Sequence, residues 1–156
     1  MQLLTDLDIT NKRLLIRVDF NVPLNENGEI TSDARIKATL PTIEYALSKK
    51  CGIILMSHLG RPVPGVFAEK FSLALVAVRL AELLNRPVFL VNNWQENNVE
   101  LGKPGSICLL ENIRFLEGEK ENDLQLLTGK LRQLVELQSL RQFLVVACCC
   151  KKSLRL

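Results

Sequence analysis

Ile53-Ile54-Leu55-Met56 is an unbroken apolar run that stops abruptly at Ser57-His58-Leu59-Gly60-Arg61-Pro62. A strand with no polar alternation has both faces covered, the condition of a parallel sheet packed between layers of helix. Sheets of that kind bind ligands in a crevice outside the carboxyl ends of their strands. A small residue, an imidazole, a glycine and a guanidinium at such an end supply hydrogen-bond donors, and donors of this type suit a phosphate or a carboxylate.

The flanking sequence repeats the pattern. Arg13 to Val18 reads as a first strand leading into Asp19-Phe20-Asn21-Val22-Pro23, after which Asn25-Glu26-Asn27-Gly28 supplies turn chemistry. Ser32 or Asp33 is placed to cap a helix, and Ile36, Leu40, Ile43 and Leu47 recur at helical spacing, predicting one helix that ends at Lys49-Lys50 before Gly52. The glycines and prolines between Gly60 and Phe67 predict a loop, followed by a helix from about Ser72 to Leu84. Pro87 to Val91 and Ile107 to Leu110 read as third and fourth strands. Strands alternating with helices predict right-handed βαβ units and an open, mostly parallel α/β sheet. Beyond Glu121, leucines at 124, 127, 131, 134, 137 and 140 are spaced to line a helix, and Phe143 to Ala147 reads as a further strand.

A chain of 156 residues suits a single domain. Its net charge of +3 is unevenly spread, with 14 basic against 15 acidic side chains over residues 1–122 and 6 against 2 over residues 123–156. A near-neutral body lacks the clustered basic surface that nucleic acid requires, so a small ligand is expected instead. Cys51, Cys108 and the triplet Cys148-Cys149-Cys150 follow neither zinc-site nor disulfide-framework spacing, and His58 is the single histidine. Reduced thiols without a bound metal are expected. The first residues, Met1-Gln2-Leu3-Leu4-Thr5-Asp6, do not read as a secretory signal, and no run approaches the length of a membrane span. The cytoplasm is therefore the expected location, with no membrane partner.

Three motifs follow three of the expected strands: Asp19-Phe20-Asn21, His58-Leu59-Gly60-Arg61 and Glu111-Asn112-Ile113-Arg114. In a parallel sheet these ends share one edge. Arg35 joins them if its helix begins at that edge, where the helix terminus adds oriented amides favourable to anions. Arg35, Arg61 and Arg114 then offer planar forks to anionic oxygens, while Asp19 and Asn21 suit a substrate hydroxyl or hold an arginine in place. Singly, each residue has an ordinary explanation as a surface arginine, a hydrogen-bonded histidine or a turn closure. Their coincidence at three strand ends carries the argument. No G-x-x-x-x-G-K-[ST] loop occurs, and no G-x-G-x-x-G follows a strand, so the chain's own motifs give no nucleotide site.

Arg17-Val18-Asp19-Phe20-Asn21-Val22-Pro23, Asp33-Ala34-Arg35-Ile36, Ser57 to Pro62 and Leu110-Glu111-Asn112-Ile113-Arg114-Phe115 together closely resemble phosphoglycerate kinase. Glu117-Gly118-Glu119-Lys120 and Asn122-Asp123 extend the likeness in the same order, over about residues 1 to 126. The resemblance implies a Rossmann-like, three-layer α/β fold, here an incomplete N-terminal domain. It also implies phosphoryl transfer between 1,3-bisphosphoglycerate and ADP in glycolysis by an enzyme usually monomeric, with Mg-ADP or Mg-ATP on a second domain. Asp19, Phe20, Asn21, Arg35, His58, Leu59, Gly60, Arg61 and Arg114 become the expected contacts for 3-phosphoglycerate or 1,3-bisphosphoglycerate. Arg35 becomes the expected catalytic residue, stabilising charge on the transferring group.

Residues 127–156 depart from that pattern. They lack the family's Asn-Asp-Ala-Phe-Gly-Thr-Ala-His-Arg motif, and the family's nucleotide domain and hinge are expected to be missing from this chain. Cys148 to Leu156 can be encoded so that the neighbouring frame reads Leu-Leu-Leu-Gln-Lys-Glu-Leu-Glu-Ala, which is similar to the family's helix before the hinge. A divergent, frame-shifted tail ending at a premature stop is therefore expected. No turnover is expected from this chain alone, and the rival readings are a non-catalytic anion-binding module, a fragment that pairs with a separate nucleotide domain, and an inert gene remnant.

Overall fold

A computed structural model of the chain describes residues 4–92, 101–116 and 143–147. Five strands, β1 (Arg13–Arg17), β2 (Gly52–Met56), β3 (Phe89–Val91), β4 (Ile107–Leu110) and β5 (Phe143–Ala147), form one sheet. Their order is β3-β4-β2-β1-β5 and every pairing is parallel. This is the α/β architecture that the apolar runs imply.

Side-chain alternation explains why those runs carry no polar positions. Leu14 and Ile16 of β1, Ile53 and Leu55 of β2, and Ile107 and Leu109 of β4 enter the larger apolar core. Their neighbours Leu15, Ile54, Met56, Cys108 and Leu110 enter a second core with Leu101, Ile113 and Leu116. Successive residues point to opposite faces, so a sheet with apolar cores on both faces needs apolar residues at every position. The register agrees, with Leu14 beside Ile53 and Ile53 beside Ile107.

The larger core is closed by α1 (Ala34–Lys37), α2 (Leu40–Ser48) and α3 (Ala74–Leu84), through Ile36, Ile43, Ala46, Val76, Ala77 and Leu80. The single helix expected from Asp33 to Lys50 is in fact two. Pro41 has no N–H to bond back to the Lys37 carbonyl, and the buried Thr39 hydroxyl donates to the Ile36 carbonyl at 2.7 Å. Both break the backbone ladder at one place. The apolar stripe continues across the break because Ile36 and Ile43 both reach the core. At the end of α3, Asn85 takes a left-handed conformation with φ 49°, which turns the chain toward Pro87 and β3.

Cys51 and Cys108 are buried free thiols. Burial pushes the Cys51 thiol above its ordinary pKa, and its Sγ donates to the Ile9 carbonyl. The triplet Cys148 to Cys150 and the leucine stripe from 124 to 140 lie outside the described residues. No helix among the described residues is long and apolar enough to cross a membrane.

Candidate functional site

Parallel pairing places the carboxyl ends of β1, β2 and β4 on one edge, and side-chain hydrogen bonds then knit the segments that follow them. Ser57 is the central stitch. Its hydroxyl donates to the Val18 carbonyl and accepts from the Phe20 amide, each at 2.9 Å, while its own carbonyl accepts from the Ile113 amide at 3.1 Å. One buried residue after β2 thus engages the ends of both neighbouring strands.

From there a continuous run of polar contacts crosses the edge. Arg35 Nη1 donates to Asp19 Oδ2, forming an ion pair, and Asp19 Oδ1 accepts from the Asn21 amide at 3.1 Å. Asn21 Oδ1 accepts from the Gly60 amide at 2.9 Å, and Gly60 presents its carbonyl to Arg114 Nη1 at 2.7 Å. Gly60 sits at φ +61°, where a Cβ would lie 2.5 Å from the Phe71 ring. Glycine is required there for both conformation and space. Arg35, Asp19, Asn21, Gly60 and Arg114, drawn from four separate segments, are therefore joined.

The remaining expected site residues divide by burial. Phe20 and Leu59 belong to the apolar core, so their side chains scaffold the edge; the Phe20 amide and the Leu59 carbonyl are bonded to Ser57 and Asn112. His58 is half-buried between two buried neighbours, and Arg61 is exposed just beyond Gly60. Among the described residues at this edge, Arg35 and Arg61 are exposed to solvent, as is Arg17 at the end of β1.

Two expectations about Asp33 and α1 change. Asp33 stands at the N-cap of α1, yet its side chain makes no capping bond and instead receives Arg79 and Lys37. A charged guanidinium is a stronger partner for a carboxylate than a backbone amide. Moreover α1 is one turn long, too short to supply the dipole expected of a helix terminus. Arg35 itself, not the helix end behind it, is the cation contributed by this segment.

The sequence reading also missed the device that holds the edge together. Glu111, buried at the end of β4, accepts from Ser72 Oγ at 2.7 Å and from the Leu73 and Asn112 amides at 2.8 Å each, capping α3 from across the fold. Buried Asn112 donates through Nδ2 to the Leu59 and Phe71 carbonyls, both at 2.8 Å, and accepts from the Arg114 amide at 3.1 Å. The usable signal was a charged and an amide residue directly after a wholly apolar strand, where polar side chains need partners.

The phosphoglycerate kinase family model matches residues 4–139. The chain belongs to the phosphoglycerate kinase family. It is 52% identical over 121 residues to a phosphoglycerate kinase of Desulfovibrio desulfuricans, covering 78% of this chain and 30% of that protein. Against one of Campylobacter curvus the identity is 45% over 138 residues, covering 86% and 34% respectively. Among solved structures, phosphoglycerate kinase of Coxiella burnetii superposes with a TM-score of 0.77 at 41% identity, covering 94% of this chain and 35% of that one. That of Pyrococcus horikoshii gives 0.72 at 33% identity, covering 85% and 34%. This chain spans about a third of the length of the phosphoglycerate kinases it matches.

Proposed function

We propose that this chain is the phosphoglycerate-binding part of a phosphoglycerate kinase. Asp19 and Asn21 address the glycerate hydroxyl, and Arg35, His58, Arg61 and Arg114 surround the carboxylate and phosphate of 3-phosphoglycerate or 1,3-bisphosphoglycerate. The supporting observation is the run from Arg35 through Asp19, Asn21 and Gly60 to Arg114, which orients two guanidiniums at one sheet edge through the chain's own hydrogen bonds. Preorganised cations stabilise an anion without reorganising at the moment of reaction. Phosphoryl transfer between two substrates asks the protein for positioning and charge stabilisation, with no protein nucleophile. Arg35, solvent-open and restrained by Asp19, is the group proposed to meet charge on the transferring phosphoryl.

Nucleotide is assigned to a part of the relatives that this chain does not span. Among the described residues, no three His, Cys, Asp or Glu side chains gather as a metal-ligating group. The proposed role of the described residues is to bind phosphoglycerate and to bring Arg35 to the transferring phosphoryl group.

Titration of the 156-residue chain with 3-phosphoglycerate tests this. Saturable amide shifts are expected at Asn21, Arg35, Gly60 and Arg114, with none at those positions on adding ATP. The absence of saturable shifts would make the chain an inert remnant, and equal saturation by inorganic sulfate would make it a general anion-binding module. With 1,3-bisphosphoglycerate and ADP the chain alone yields no ATP; formation of ATP by contaminant-free protein overturns that assignment.

We further assign residues 1–126 to this binding part and 127–156 to a divergent, frame-shifted tail. The family match itself runs to residue 139, beyond that boundary. The coding DNA decides the matter: family-like sequence near the end in a neighbouring frame is expected, and its absence from both alternative frames removes the idea.

A further inference from the structure

Arg79 lies on α3, far in sequence from every residue of the candidate site. Its Nε and Nη2 both donate to Asp33 Oδ2, at 3.0 and 2.7 Å, while Nη1 donates to Glu82 Oε2 at 2.8 Å. Lys37 Nζ completes the group, 3.0 Å from Asp33 Oδ1. The hydrogen bonds from Arg79 and then Lys37 hold the Asp33 carboxyl below its ordinary pKa, and Asp33 raises that of Arg79 in turn. Asp33 stands two residues before Arg35 and directly before α1.

That location matters because α1 cannot hold itself. A single helical turn fixes several dihedrals for very few hydrogen bonds and does not persist in isolation. Ile36 anchors one side of it in the apolar core. Arg35 on the same turn is tied to Asp19, and the Arg79 fork adds an anchor from the adjoining helix, on the side of Asp33. The frame to which it ties α1 is the frame of the site: Glu111 binds the start of α3 to the end of β4, next to Asn112 and Arg114. Arg35 and Arg114 are thereby referred to the same rigid body.

We propose that Arg79 is a positioning residue for Arg35, acting through Asp33 to fix α1 against α3 so that the Arg35 guanidinium is presented at the strand-end crevice. The proposal rests on the phosphoglycerate-binding reading above. It separates from a merely stabilising ion pair, because losing such a pair lowers the unfolding midpoint without changing ligand affinity in the folded chain, whereas small misplacement of a binding group has large effects on affinity and rate.

The test uses the whole 156-residue chain carrying Arg79→Gln, Arg79→Lys or Glu82→Gln. In Arg79→Gln, 3-phosphoglycerate binds about tenfold more weakly, the Arg35 Nε–H resonance shifts, and the Lys37, Ala38 and Thr39 amides exchange faster, while the unfolding midpoint hardly moves. Arg79→Lys keeps the charge without the fork and recovers part of the affinity; Glu82→Gln binds like the wild type. Wild-type affinity in Arg79→Gln overturns the proposal, as does an unchanged Arg35 resonance. If the unsubstituted chain itself fails to bind 3-phosphoglycerate, the binding reading falls, and the Arg35 resonance with the α1 exchange rates decides the positioning role alone.

Discussion

Gly52→Ala destabilises the fold by about 3 kcal/mol, the upper end of the usual cost of overpacking a well-filled site. A Cβ at Gly52 would lie 1.8 Å from the Gly102 carbonyl oxygen, 2.4 Å from its carbon and 2.8 Å from the Lys103 oxygen. These are backbone atoms, so no side-chain rotation relieves the overlap. Nor does the segment that carries them have room to retreat. Gly105 donates to the Cys51 carbonyl at 2.9 Å, and Ile53 donates to the Ser106 carbonyl at 2.9 Å, so moving the loop strips hydrogen bonds from β2 in the middle of the sheet. Gly105→Ala is the matched control. Its φ is +76° with nothing within 4 Å of the added methyl, so it costs only the left-handed backbone penalty, about 1 kcal/mol. Urea unfolding of the two variants measures the difference, and equal midpoints would refute the close-approach argument. A loss of this size removes a large share of a typical domain's stability, and the candidate site depends on the register of β1, β2 and β4.

The physics of each feature accounts for which parts were legible before the structure. Apolar runs such as Ile53 to Met56 report burial on two faces, which is a local property of composition, and the parallel sheet followed from them. The convergence of Asp19, Gly60 and Arg114 followed in turn, because strand polarity alone puts those ends together. The break between α1 and α2 was readable too, since Pro41 lies inside the apolar stripe, but periodicity of Ile36, Leu40, Ile43 and Leu47 masked it. Partner choice was not readable. Asp33 looks like a cap by its position, and only the fold brings Arg79, 46 residues away, within reach of it. Likewise Glu111 and Asn112 stand in sequence only as neighbours of Arg114 in a strand-end motif, whereas their partners at Leu73, Leu59 and Phe71 are 38 to 53 residues distant. A side chain that clamps two loops and one that binds substrate have the same chemistry in sequence; geometry separates them.

Asn112→Asp, a change of one amide to one carboxylate with almost no change in shape, is expected to be more damaging than Asn112→Ala. Asn112 Nδ2 gives its two protons to the Leu59 and Phe71 carbonyls, and the residue is buried. Removing the side chain leaves those acceptors and the Arg114 amide unsatisfied, for a loss of about 2 kcal/mol. The carboxylate instead aims a buried negative charge at two carbonyl oxygens, and an uncompensated buried charge raises the loss to about 4 kcal/mol. The introduced group avoids its charge by taking up a proton, so its pKa in the folded state lies above its unfolded value. The native state then binds more protons than the unfolded one, and stability falls as pH rises through that interval. Relative to wild type, Asn112→Asp therefore recovers stability at about pH 4.5 compared with about pH 7, while the deficit of Asn112→Ala stays constant. Denaturation midpoints at the two pH values measure this, and a pH-independent deficit for the carboxylate variant would show that Asn112 Nδ2 does not hold these carbonyls. Because the Leu59 carbonyl adjoins Gly60, releasing it also slackens the bonds from Gly60 to Asn21 and Arg114. The same variant is thus expected to lose 3-phosphoglycerate affinity at neutral pH even where it remains folded, linking a buried amide to the orientation of the arginines proposed to meet the ligand.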